Sequence, residues 1–267
     1  MNPEFDSEKP DINELRTASA SGDLATVKEV FAQRQTSDKR EINFFRGALY
    51  DAIENSRYEV ASYLLSAGVP LNMSVVVLAT QSKSYTALQL FLDYNWDINE
   101  PVLRMDRPPP LMYAIHDKEL TQWFLFHGAK PNADCGLDIT PLTIAVAQAS
   151  FDIIKLLFNH GGTIEHGQLL HAAAARKASD RLDVIAFLLE KGADVNQIMY
   201  QNHLASYLYC KAFGLGTPLH EAARVGAYDV VQMLLEEGAN PLITDSRGKL
   251  ALQRAEYRGY THIINVV

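Results

Sequence analysis

Cysteine is nearly missing from this chain, which has 267 residues and only two, Cys135 and Cys210. A secreted domain held by disulfides carries several paired cysteines, so the expected setting is a reducing one, the cytoplasm. Basic charge is also short, with 24 Lys and Arg against 32 Asp and Glu, a net charge of -8. Gripping a phosphate backbone takes clustered Lys and Arg, so no nucleic-acid partner is expected. Long apolar runs are lacking as well. The longest uniformly apolar stretch, around Val75 to Ala79, is far below the roughly 18 residues of a spanning helix, so no membrane partner is expected. The acidic start, MNPEFDSEKP, has no apolar segment and reads as neither a secretory signal nor a transit peptide.

Catalytic signatures are missing too. The sequence has no phosphate-binding glycine loop, no Gly-x-Ser-x-Gly, no His-Glu-x-x-His and no paired Cys-x-x-Cys, which removes the enzyme classes built on them. Gly214-Leu215-Gly216 reads as a turn, because a nucleotide fingerprint needs a strand before it and a βαβ unit around it. No catalytic residue, cofactor or metal is assigned. Carboxylates flank Cys135 at Asp134 and Asp138 and raise rather than lower a thiol pKa. Cys210 beside Lys211 is the better nucleophile candidate, with a packed thiol as the ordinary reading.

What the sequence does have is an internal repeat. The clearest copy runs Gly216-Thr217-Pro218-Leu219-His220-Glu221-Ala222-Ala223, continues through Val230-Val231 and Leu234-Leu235, and closes at Gly238-Ala239-Asn240-Pro241. Related copies lead from Thr140-Pro141-Leu142 to Gly161-Gly162, from Leu170-His171-Ala172-Ala173 to Gly192-Ala193, and from Pro110-Leu111 to Gly128-Ala129. Weaker ones start at Leu15, Leu49 and Val76, and a last one at Asp245. Thr followed by Pro opens a helix, because the hydroxyl caps free amides and Pro at the first position gives up an N–H that has no partner. The Val-Val-x-x-Leu-Leu spacing lays an apolar stripe along a second helix, and Gly supplies the left-handed residue that ends it. One such unit cannot bury its stripe alone, so neighbours must stack.

These residues closely resemble the ankyrin repeat. The Pro-Pro-Leu-Met-Tyr-Ala-Ile stretch from Pro109, with its short turn and Trp-Phe-Leu at 123–125, is similar to ankyrin proteins of filamentous fungi. The resemblance implies an all-α ankyrin-repeat solenoid of about eight helix-turn-helix units with projecting β-hairpin loops. It covers residues 12–267, after a polar segment at 1–11. It also implies a recognition scaffold that binds a protein partner through hairpin tips and a concave face of first helices.

Candidate contact residues follow from that register. Asp51 and Glu54 lie on the acidic N-terminal side, where residues 1–100 hold 9 basic and 15 acidic side chains; residues 197–267 hold 6 of each. Tyr113, His116, Arg176, Arg224, Arg254 and Tyr257 continue the same face. The largest departure from the repeat is an insertion at about 197–215, rich in aromatics and bearing Tyr200, His203, Tyr207, Tyr209 and Phe213; a long loop in a compact array is more often functional than accidental. An alternative reading folds this insertion over Tyr113, His116, Arg176, Tyr207, Arg224 and Tyr257 to enclose a small-molecule pocket with acid–base or cyclisation chemistry. His171 and His220 are expected to tie neighbouring repeats together, and His127 and His160 to sit at helix C-termini. The ending Ile263 to Val267 lacks a polar cap, which suggests truncation or burial against another chain.

Overall fold

The computed structural model describes residues 10–33, 45–103 and 105–264. Most of the polar segment expected at 1–11, Arg104 and the apolar end at 265–267 lie outside the described residues. The chain divides into two compact units, Met1–Asp97 and Ile98–Val267.

In the first unit three helix pairs follow one another: α1 (Pro10–Ser21) with α2 (Leu24–Gln33), α3 (Phe45–Glu54) with α4 (Tyr58–Ser66), and α5 (Met73–Gln81) with α6 (Tyr85–Asp93). Side-chain caps set three of the starts, with Asp23 accepting from the Thr26 amide, Asn72 from the Val75 amide and Ser84 from the Ala87 amide. Leu15, Val27, Leu49, Leu64, Val76, Leu88 and Phe91 are sealed from solvent between the pairs.

The second unit holds five pairs: α7 (Leu111–Ala114) with α8 (Lys118–Phe126), α9 (Pro141–Gln148) with α10 (Phe151–Asn159), α11 (Leu169–Ala174) with α12 (Arg181–Glu190), α14 (Pro218–Val225) with α15 (Tyr228–Glu236), and α16 (Ala251–Arg258) with α17 (Thr261–Ile264). Between α12 and α14 comes an extra helix, α13 (Leu204–Cys210), followed by a 3-10 turn at Lys211–Phe213. The first helices stack in chain order, and Ala145, Ala173, Ala174, Ala222 and Ala223 on them are fully buried. Thr140 and Pro141 open α9 as expected, with the Thr140 hydroxyl accepting from the Thr143 amide at 3.0 Å.

One feature of the loops differs from expectation. Among the described residues no strand forms, and antiparallel pairing shrinks to a single bridge between Leu103 and Arg107. Asparagine side chains link successive loops instead. Asn99 donates to the Gly128 carbonyl and accepts from the Lys130 amide, Asn132 does the same for Thr163, and Asn196 for Gly238 and Asn240. A carboxamide presents one donor edge and one acceptor edge, so it reproduces a backbone pairing without a strand. Where Glu165 replaces the Asn, a carboxylate cannot donate, and no such link is made from that position.

Candidate functional site

The predicted histidine ties are present. His220 accepts at Nδ1 from the Thr217 amide (3.1 Å), while Nε2 donates to the Lys249 carbonyl of the next repeat (3.0 Å). His171 reaches the Gly216 carbonyl through Nε2 at 3.1 Å. Its repeat begins with Gln168 in a left-handed conformation, φ 52°, rather than with Thr-Pro. The capping N–H is thereby lost, and Nδ1 of His171 is buried without a hydrogen-bond partner. Burial drives the His171 imidazole pKa down to about 4 and lowers that of His220, so both rings are neutral struts. His127 and His160 each bond a carbonyl one turn back, at Trp123 and Leu156, as helix C-termini favour.

Arg176 has a different job from the one its register suggests. It is buried, and all three guanidinium nitrogens are engaged: with the Val146 and Ala149 carbonyls at the end of α9, and with both oxygens of Asp180. It closes a helix C-terminus between two repeats, and four of its five N–H donors are spent there. Asp51 is buried and held by Arg16 through two hydrogen bonds of 2.6 and 2.9 Å, whereas Glu54 stays exposed.

The insertion is a short helix rather than an open loop. The His203 Nδ1 accepts from the Ser206 amide and lies 2.8 Å from the Ser206 hydroxyl, so this histidine is an N-cap. The sequence counts His203 among the candidate contact residues of the insertion, and its capping role has no signature there beyond the Ser three residues on. At the base of the insertion the Met199 amide donates to the Gly216 carbonyl at 2.9 Å, drawing its two ends together. Gly216 itself leaves no room for a side chain, since a Cβ there would lie 2.4 Å from His220. Tyr200 turns inward with φ 61°, and its amide donates to the Gln168 side chain. Burial pushes its phenol up to about 12, so it is no proton shuttle near neutral pH. The Cys135 and Cys210 thiols are likewise pushed up by burial, which leaves neither activated.

Past these roots the insertion faces solvent. Leu204 is 70% exposed, Leu208 53%, Tyr209 62% and Phe213 77%. Among the helices, α13 packs substantially only on the 3-10 turn that follows it. Two open depressions flank it. A 440 Å³ recess lies between Leu204 and Tyr207 of the insertion and Thr244–Ser246. A 670 Å³ groove runs from Phe213 along Arg224, Arg247, Arg254 and Tyr257.

The six residues of the alternative pocket are therefore not gathered around one cavity. Arg224 and Tyr257 share the groove, Tyr207 lines the recess, Arg176 is buried, His116 is exposed, and the Tyr113 hydroxyl meets Arg107 at 3.5 Å. Among the described residues no group of three or more His, Cys, Asp or Glu is placed to hold a metal, and no helix is long and apolar enough to cross a membrane.

Family models for ankyrin repeats match residues 111–199 and 188–255. The chain belongs to the ankyrin-repeat family. A putative E3 ubiquitin-protein ligase of Arabidopsis thaliana is 38% identical over 125 residues, 46% of this chain and 30% of the ligase. Transient receptor potential cation channel subfamily A member 1 of Homo sapiens is 28% identical over 279 aligned residues, covering 95% of this chain and 22% of the channel. The ankyrin repeat protein nuc-2 of Neurospora crassa is 27% identical over 166 residues, 61% of this chain and 14% of its own length. The chain thus spans less than a third of the length of each of these relatives. Ankyrin repeats are general protein-interaction modules.

Proposed function

We propose that the chain is an intracellular protein-recognition module whose contact surface is the insertion together with the repeats that follow it. The observation that supports this is the exposed apolar cluster of Leu204, Leu208 and Tyr209 on α13 with Phe213 in the turn after it, a segment outside the helix pairs of the repeats. Burying a Leu or Phe side chain is worth about 1.5–3 kcal/mol, so four left in water represent binding energy that a partner can recover. Exposed apolar clusters rimmed by polar groups mark interaction sites. Two free cysteines fit a reducing compartment.

On this reading the acidic first unit has a smaller role than its composition suggests, because Arg16 already neutralises Asp51. Photocrosslinking in cells that make the protein tests the assignment. A benzophenone side chain in place of Leu208 or Tyr209 should capture the same partner protein, while one in place of exposed Lys155 on α10 should not. Equal capture from all three positions, or capture from Lys155 alone, contradicts it.

A further inference from the structure

Residues 197–267 hold six basic and six acidic side chains, yet the fold separates them. Five of the basic ones, Arg224, Arg247, Lys249, Arg254 and Arg258, line the 670 Å³ groove, against two acidic ones, Asp245 and Glu256. Part of this charge is consumed internally. Arg254 bonds Glu221 at 3.1 Å, Asp245 at 2.9 Å and the Gly214 carbonyl, and Arg224 pairs with Glu221 at 2.7 Å. Asp245 is further fixed by the amides of Arg247 and Lys249. Burial would raise its pKa, but these N–H groups and Arg254 outweigh that and leave it lowered. Two arginines and two carboxylates therefore form a neutral, rigid floor.

The side chains of Arg247, Lys249 and Arg258 make no ion pair among the described residues, and all three are exposed. Only Glu256 opposes them in the groove. Phe213 at one end is 77% exposed and Tyr257 is 88% exposed. On a chain of net charge -8, this is a local excess of positive charge beside two unpartnered aromatic rings.

Resting on the reading as a protein-recognition module, we propose that this groove binds a short acidic segment of the partner protein. An aromatic or aliphatic side chain sits against Phe213 and Tyr257, and flanking carboxylates meet Arg247, Lys249 and Arg258. The volume lies within the roughly 300–1,000 Å³ usual for ligand sites. Exposed guanidinium and ammonium groups match carboxylates in charge and geometry. Three free cations next to a carboxylate suit a segment with two or three acidic residues. A nucleic-acid strand, one charge per nucleotide, would meet too few cations here and a repulsive field from the rest of the chain.

Selection from a displayed library of random decapeptides on the full chain tests this. Recovered peptides should carry two or more Asp or Glu around an aromatic or aliphatic residue. Their affinity should fall at least tenfold for the triple variant Arg247→Glu, Lys249→Glu, Arg258→Glu, and also for Phe213→Ser. These are exposed positions, and an unchanged melting temperature verifies that each variant is folded. A second triple variant, with Gln at the same three positions, should lose less than the charge reversal. Recovery of basic or uncharged peptides, recovery of none, or retention of acidic peptides by the folded charge-reversed variant overturns the proposal. So does a single-stranded oligonucleotide that displaces the peptides at lower concentration than they bind. If selection fails while position 208 still crosslinks its partner, the groove assignment falls and the recognition surface on α13 stands.

Discussion

The insertion and the repeat that follows it are adjacent in sequence and opposite in construction. In the repeat, Leu219, Ala222, Ala223, Val230, Val231 and Leu234 are almost completely buried, and polar side chains such as His220 are spent on the fold. In α13 the one buried residue is Ser206, while Leu204, Leu208 and Tyr209, and Phe213 in the turn after it, point into water. The repeat is stabilised by what it hides. The insertion is held by its ends, through the Met199 to Gly216 bond, the Gln168 contact with Tyr200, and the Ser246 hydroxyl accepting from the Leu215 amide. On the proposed reading stability and recognition fall to different residues, and a variant that affects one should leave the other largely intact.

Removing a strut from the repeats should have the largest effect on stability. Arg176→Ala orphans the Val146 and Ala149 carbonyls and leaves Asp180 without its partner, and breaking a buried pair of this kind costs about 3–5 kcal/mol. Urea unfolding should show that loss, whereas Arg247→Ala in the groove should stay within about 0.5 kcal/mol. Similar values for the two arginines would erase the distinction between strut and contact residue.

Acid should act on the repeats next. His171 has a folded pKa of about 4 against roughly 6.5 in an unfolded chain. Between those values the unfolded state takes up a proton that the folded state refuses, so stability is complete above pH 6.5 and declines as pH falls toward 4. The full loss is about 3 kcal/mol, with His220 adding in the same direction. Denaturation midpoints at pH 7 and 4.5 should lie closer together in His171→Gln, whose amide reaches about as far as Nε2 toward the Gly216 carbonyl and cannot titrate, with His220 keeping part of the dependence. An identical pH dependence in wild type and variant would contradict this account. A smaller effect is expected at Gly238, where φ is 89°. No neighbour crowds a Cβ at that position, so Gly238→Val should cost only the backbone strain of about 2 kcal/mol, read as a lower melting temperature.

The repeats were legible in sequence because each of their residues has one local task. Thr140 before Pro141, the alanine pairs and the Gly ends could be placed from spacing alone, and the histidine ties came with the repeat register. The loops were less legible, since Asn132 and Asn196 bond partners about thirty or more residues away and thereby take the place of expected strands. The site was read only in outline. The insertion stood out by its aromatics, but alternation along it does not reveal that Tyr200 turns in while Tyr209 and Phe213 turn out. Arg176 and Arg224 look alike in sequence, yet one is a buried clamp and the other lines a groove. The balanced charge of residues 197–267 concealed the basic groove, because charge counted along a chain says nothing of which side chains the fold gathers on one face.

The most direct test replaces residues 201–213 with a short Gly-Asn turn, keeping Tyr200, Gly214 and Leu215 so that the base of the insertion remains tied. Thermal unfolding and partner binding are then measured on the same sample. A repeat array is held by contacts between neighbours, so the melting temperature should shift by no more than about 3 °C, roughly 1 kcal/mol for a chain of this size, while binding is lost. A variant that fails to fold would show the insertion to be part of the core, and one that folds and still binds its partner would place recognition elsewhere in the chain.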